Sequence, residues 1–280
     1  MDGALKCVLE TMKGQGRDIS VYDESFLGVT LHKQREKSGA ADAVSFCRLL
    51  KESRAEADAF ADSLRVTYSC FFREPFSFAL FEKLLPALIE NKPVGSEIRI
   101  WSAGCADGQE AYSIAILMEE AIAAKGRGMR FRIFATDVSK ETLKAAEAGA
   151  YGFEAVKDVR AGQLQKYFTL AGSIYRVAPV LKGNVGFSVY DLLDRKTAHP
   201  AESIFGGFDI VFCRNVLLYY NAGQRRFMME KLAKSVEDGG TLVVGEAERP
   251  RPDRGTGRGL SLRGGLYENK KTRAIPIPLL

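Results

Sequence analysis

The run Ile98-Arg-Ile-Trp-Ser-Ala-Gly-Cys-Ala-Asp-Gly-Gln-Glu110 reads as a buried strand that breaks into a glycine-containing loop and enters a helix directly. Gly104 and Gly108 permit a tight turn and a close approach of backbone to a ligand, while the helix start offers unpaired N–H groups. Alone, this loop is also what an ordinary strand-to-helix turn looks like. Asp137 adds a second feature. It closes the next strand in Phe134-Ala-Thr-Asp137, where a carboxylate accepts hydrogen bonds from both hydroxyls of a ribose. Its competing reading is a helix N-terminal carboxylate beside Ser139.

No Gly-x-Gly-x-x-Gly occurs at the first loop. A dinucleotide pyrophosphate normally uses that spacing, so nicotinamide and flavin cofactors are disfavoured. S-adenosylmethionine carries no phosphate. It needs a polar partner for its ammonium and a backbone cradle for its carboxylate, and Glu110 at the loop's end supplies the former.

These residues require a parallel sheet to hold them. From Ile98 onward, five short apolar runs alternate with helical patterns: Ile98 to Ser102, Arg132 to Thr136, Gly186 to Tyr190, Phe208 to Cys213 and Thr241 to Gly245. Strands buried on both faces look like this. Ile114, Leu117, Met118, Ala121 and Ile122 form one apolar helical stripe; Ser139 opens a helix that Gly149 closes; Asn221 opens another with Gln224 three residues on. Tyr167 to Leu170 and Ile174 to Val177 around Gly172 suggest an inserted hairpin. Asp42 to Leu64 is helix-favouring, whereas Gly14, Gly16 and Gly28 point to a partly irregular start. The Arg-, Gly- and Pro-rich tail from Arg249 is expected to be extended or poorly ordered, apart from a last strand near Leu266.

Composition removes several classes of function. The 280 residues contain 46% hydrophobic residues and contain no long uncharged apolar run or signal-peptide pattern, so the reading is cytoplasmic without membrane insertion. Five dispersed cysteines and two distant histidines favour neither disulfides, a metal centre nor a Ser-His-Asp triad. The net charge of +5 comes without an aromatic-interleaved basic stripe, so nucleic acid is not the expected partner.

The strings Phe71-Phe-Arg-Glu74, Trp101-Ser-Ala-Gly-Cys105, Ala135-Thr-Asp137 and Phe212-Cys-Arg-Asn-Val216 through Tyr219 resemble the chemotaxis-receptor glutamate methyltransferases over roughly residues 20–270. The resemblance implies an α/β, doubly wound, Rossmann-like methyltransferase fold over 67–270 with a small β-subdomain inserted near 160–184. A small all-helical domain over 1–66 would precede it and a tail over 271–280 would follow. It implies that Arg73 and Tyr219 lie nearest the transferred methyl. Thr67, Ser69, Arg73, Gly104, Glu110, Asp137, Asp191, Leu192, Asn215 and Val216 would line the site of S-adenosylmethionine, with no metal. Its substrate would be glutamates on the cytoplasmic helical bundle of a chemotaxis receptor, its products glutamate methyl esters and S-adenosylhomocysteine, and its state monomeric.

The chain departs from the family pattern in places. Thr67 and Ser69 stand where Asn and Thr are usual, Gly-Glu-Glu-Pro reads Gly108-Gln-Glu-Ala111, Asp191 replaces a common Asn, and Gly-His-Ser-Glu reads Gly245-Glu-Ala-Glu248. Ser69 keeps a hydroxyl, and Asp191 still accepts a hydrogen bond from an adenine amino group. These changes bear on substrate identity more than on cofactor binding. The alternatives are a methyltransferase of this family acting on another protein or a small molecule, and a non-catalytic S-adenosylmethionine-binding or scaffold module.

Overall fold

The computed structural model describes residues 3–125, 128–203, 206–248, 260–263 and 266–269, the last two segments as backbone only. Its contacts divide the chain into two units, Met1–Val66 with Leu217–Phe227, and Thr67–Val216 with Met228–Leu280.

The first unit contains α1 (Gly3–Gly14), α2 (Glu24–Ser38), α3 (Ala43–Glu52) and α4 (Arg54–Ser63). Side-chain caps from Asp23, Asp42 and Ser53 set where α2, α3 and α4 begin. Val8, Met12, Leu27, Phe46, Leu50 and Phe60 form much of its apolar core. The irregular start expected from the glycines is confined to the link between α1 and α2. Gly14 ends α1, Gly16 takes a left-handed turn just after it, and Gly28 is accommodated inside α2.

The second unit runs through α5 (Pro75–Glu90), β1 (Glu97–Ala103), α6 (Gln109–Lys125), β2 (Arg130–Asp137), α7 (Lys140–Ala148), β3 (Ala150–Tyr151), α8 (Phe153–Val156), α9 (Ala161–Tyr167), β4 (Phe168–Ala171), β5 (Ile174–Val177), α10 (Pro179–Lys182) and β6 (Val185–Val189). It continues with β7 (Phe208–Cys213), the later part of α11 (Ala222–Ser235), β8 (Val236–Val244), β9 (Leu260–Arg263) and β10 (Leu266–Asn269). The main sheet has the order β6-β2-β1-β7-β8-β10-β9. Its first five strands are parallel and its last two are antiparallel additions.

Each of the five apolar runs becomes one of the parallel strands, and β7 is buried along its whole length. The α6 stripe widens in the structure: every residue from Ala111 to Met118 is buried. Ser139 caps α7 through Thr142 N, and Gly149 closes it in the left-handed conformation. The hairpin of β4 and β5 recruits β3 into a three-stranded antiparallel sheet, so that sheet reaches back to Ala150, earlier than 160. The tail yields two strands, β9 and β10, where one was expected. The basic residues Arg249, Arg251, Arg254 and Arg258 and the segment 271–280 lie outside the described residues. No helix among the described residues is long and apolar enough to cross a membrane.

The parallel order places β1 and β7 side by side although β2 and β6 intervene in the chain. Connections therefore leave these neighbours in opposite directions, which opens a crevice beyond their C-terminal ends.

Candidate active site

The loop after β1 lies at that crevice. Gly104 N and Cys105 N both donate to Thr136 O, at 2.8 and 2.9 Å, pinning the loop to the end of β2. Gly104 has φ +78°, and a Cβ there would stand 2.5 Å from Val216 Cγ2, beyond β7. Gly108 has φ +94°, with Ala146 Cβ only 2.9 Å from the place its Cβ would take. Two close approaches, across the crevice and under α7, thus require the glycines read from the sequence.

Asp137 closes the other side. Its Oδ2 accepts from Ala106 N at 3.1 Å and its Oδ1 from Ser139 N at 3.1 Å. The carboxylate therefore braces both the loop after β1 and the backbone leading into α7, as its reading beside Ser139 expects. Tyr190 N donates to Asp137 O at 3.0 Å, bringing the loop after β6 alongside. There Leu192 is buried, and exposed Asp191 accepts from Leu193 N at 2.8 Å.

Glu110, on the first turn of α6, accepts from Ser102 Oγ at 2.8 Å and lies 3.5 Å from Arg214 Nη1. Burial raises its carboxyl above the ordinary glutamate range, while Arg214 and Ser102 oppose that shift. Arg214 itself is buried, with its guanidinium 4.8 Å from the Phe78 ring centre. Its Nη2 reaches Glu74 Oε2 at 3.1 Å and donates to Arg73 O at 2.5 Å.

Glu74 gathers donors from three directions. Asn215 Nδ2 reaches its Oε1 at 2.7 Å, and Glu246 N reaches its Oε2 at 3.1 Å. Burial alone would raise this carboxyl, but the bonds from Asn215 and Glu246 N–H, with Arg214, hold it below its usual value. Glu248 completes the frame by accepting from Asn215 N at 2.7 Å and Gly245 N at 2.9 Å. Phe72, Glu74, Ala106 and Asn215 all have left-handed backbone. Strained residues of this kind persist where their surroundings over-determine them.

Of the residues named from the sequence, Gly104, Glu110, Asp137, Asn215 and Val216 come together around the crevice, with Asp191 and Leu192 joined through Tyr190. Thr67 is exposed and Ser69 half-buried in the segment leading to Phe71. Arg73 donates from Nη1 to Tyr68 O at 3.0 Å and lies over the Tyr68 ring. Tyr219 belongs to the first unit, its ring centre 4.9 Å from that of Phe26. Sequence reasoning missed the structural parts played by Glu74, Arg214 and Glu248. The signal was present in the quoted strings, since an arginine between Cys213 and Asn215 at the end of an apolar strand needs acidic company once buried.

The residues present fit S-adenosylmethionine on their own chemistry. The half-buried Glu110 carboxylate suits an ammonium and Asp137 suits a ribose, while the absent side chain at Gly104 lets Val216 pack directly against the loop. The burial that pushes up the thiols of Cys105 and Cys213 leaves neither as a ready nucleophile.

Comparison with known proteins agrees. The family model described as CheR methyltransferase, SAM binding domain, matches residues 67–256. The chain is 28% identical over 235 residues to the chemotaxis protein methyltransferase of Listeria innocua, covering 84% of this chain and 85% of that protein. It is 31% identical over 224 residues to chemotaxis protein methyltransferase 1 of Pseudomonas aeruginosa, covering 78% and 79%. An uncharacterized 104.1 kDa protein of Rhodobacter capsulatus is 33% identical over 208 residues, which span 74% of this chain and only 21% of that protein. The chain belongs to the CheR methyltransferase family through its S-adenosylmethionine-binding domain.

Proposed function

We propose that this protein transfers a methyl group from S-adenosylmethionine to glutamate side chains on the cytoplasmic helical bundle of a chemotaxis receptor. The products are glutamate methyl esters and S-adenosylhomocysteine. The observation that carries this reading is the Gly104 loop at the end of β1, which is bonded through Ala106 N to Asp137 at the end of neighbouring β2 and leads into Glu110 on the first turn of α6. The names of the Listeria and Pseudomonas relatives support the choice of receptor substrate.

Glu110 would hold the cofactor ammonium, Asp137 the ribose hydroxyls, Gly104 and Val216 the walls of the crevice, and Asp191 with Leu192 the adenine. Asn215 would act by holding the turn at Glu74. Bound there, the cofactor supplies an electrophilic methyl on a sulfonium. A glutamate substrate, with a pKa of about 4.3, is already ionised at neutral pH and needs alignment and dehydration rather than a general base. Arg73 suits alignment, because a guanidinium holds a carboxylate through paired hydrogen bonds. Thr67 and Ser69, on the segment before it, would line the same approach. For Tyr219, a place near the transferred methyl rests on the sequence resemblance. Each transfer removes a negative charge from a packed bundle and relieves like-charge repulsion there. Lys33, Arg35 and Lys37 of α2 are the proposed docking charges for that acidic surface.

The test incubates the protein with methyl-labelled S-adenosylmethionine and the cytoplasmic fragment of a receptor from the same cell, then treats the product with mild alkali. Label on the receptor that alkali releases as methanol supports glutamate ester formation. Alkali-stable label would instead indicate a different acceptor atom. No transfer to the receptor, despite cofactor binding, would favour another substrate.

A further inference from the structure

Lys231 is a buried lysine that no step above employs. Only 8% of the residue is exposed on α11, and burying an amine is costly unless its donors are used. They are used on one loop. Nζ donates to Tyr190 Oη at 3.0 Å and to the Asp194 carbonyl, and it lies 4.9 Å from the centre of the Tyr190 ring. Tyr190 Oη donates onward to Thr197 O at 3.0 Å. One amine thus ties together the beginning, middle and end of the segment 190–197.

The same segment is folded on its own acids. Asp194 N donates to Asp191 O at 3.0 Å, and Lys196 N donates to Asp194 Oδ1 at 2.9 Å. At its start it is fastened to the end of β2 through Tyr190 N and Asp137 O, and to β1 by the Trp101 ring, 5.6 Å away in an edge contact. Asp191 and Leu192 ride on this frame. Because Asp191 is exposed and its Oδ1 already accepts from the loop backbone, its direction is set by the loop and not by packing of its own.

We infer that Lys231 is the positioning residue for the adenine end of the cofactor site, fixing through Tyr190 and Asp194 the loop that presents Asp191 and Leu192. This deepens the S-adenosylmethionine reading and rests on it. Lys231 touches no reacting atom. Its effect is to make recognition of the adenine amino group by Asp191 rigid, and hence selective.

The experiment titrates the full chain and its Lys231→Met, Lys231→Arg and Tyr190→Phe variants calorimetrically with S-adenosylhomocysteine. Each titration is repeated with the hypoxanthine analogue, which has a carbonyl in place of the adenine amino group. The wild-type chain should prefer the adenine ligand by about tenfold, the worth of one good hydrogen bond. Lys231→Met should shrink that preference to about threefold or less, with Lys231→Arg keeping most of it. If Lys231→Met does not fold, Tyr190→Phe, which removes one hydroxyl and keeps the amine, should show the same loss of preference. An unchanged preference, or equal weakening toward both ligands, overturns the inference. A wild-type chain that binds the two ligands equally also overturns it, whereas one that binds neither overturns the cofactor reading beneath it.

Discussion

Arg214 Nη2 and Glu74 Oε2 meet at 3.1 Å, and the other arm of the same guanidinium lies 3.5 Å from Glu110 Oε2. One buried cation therefore joins the turn that carries Arg73 to Glu110, the carboxylate proposed to hold the cofactor ammonium. Replacing Arg214 with Met leaves two carboxylates without their shared partner and should cost about 3–5 kcal/mol of stability. Lysine should recover only part, since a single ammonium does not reproduce the fork. Urea denaturation measures both; a loss below about 1 kcal/mol for the Met variant would mean that the network is an ordinary surface-type pairing.

Glu110 gives a pH test. Its carboxyl is raised by burial, with Arg214 and Ser102 opposing, and only the ionised form pairs with an ammonium. Affinity for S-adenosylhomocysteine should therefore fall as pH drops through a value above the ordinary glutamate range. Glu110→Gln should lose about tenfold or more in affinity at neutral pH and flatten that acid limb. For stability the sign is opposite. A carboxyl easier to protonate when folded contributes most below its unfolded pKa and loses that contribution as pH rises through the folded value. An acid limb that persists in Glu110→Gln would assign the titration to another group.

Gly104→Ala separates a shape requirement from a general intolerance of substitution. The new Cβ would meet Val216 Cγ2 at 2.5 Å with φ at +78°, so both binding and stability should suffer, the latter by at least about 1–2 kcal/mol. Gly172 has φ +63° and open space around it. Gly172→Ala should lose a similar strain energy and leave cofactor affinity unchanged. Equal affinity losses in both variants would contradict the role given to the Gly104 crevice.

How much of this was legible beforehand follows from how far apart the cooperating residues lie. The five strands could be read because each is short, apolar and buried on both faces, and Ser139 and Gly149 could be read as caps because capping is local. The Gly104 loop and Asp137 were legible for the same reason, each sitting at a visible strand end. The frame of Glu74, Arg214, Asn215 and Glu248 was not, because its bonds cross separations such as the 140 residues between Glu74 and Arg214. Nor was the helical path of Gly3–Gly14, because Gly14, Gly16 and Gly28 looked like a broken pattern. Lys231 is the extreme case, a lysine in a polar-looking helix whose burial depends on a loop 41 residues earlier.

Arg73→Ala addresses the chemical step. The side chain is proposed to align the substrate carboxylate, so turnover should drop by about a hundredfold or more while affinity for S-adenosylhomocysteine changes by less than about threefold. Steady-state methylation assays paired with calorimetry read the two effects separately. Unchanged turnover would remove Arg73 from the mechanism.

The most direct measurement is calorimetric titration of S-adenosylhomocysteine into the wild-type chain and into Asp137→Ala. The cradle proposed for Gly104, Glu110 and Asp137 predicts micromolar binding, about −8 kcal/mol, by the wild-type chain, and loss of most of that affinity when Asp137 is replaced. Absence of wild-type binding, or equal affinity in the Asp137→Ala variant, would contradict the assignment of this crevice as the cofactor site.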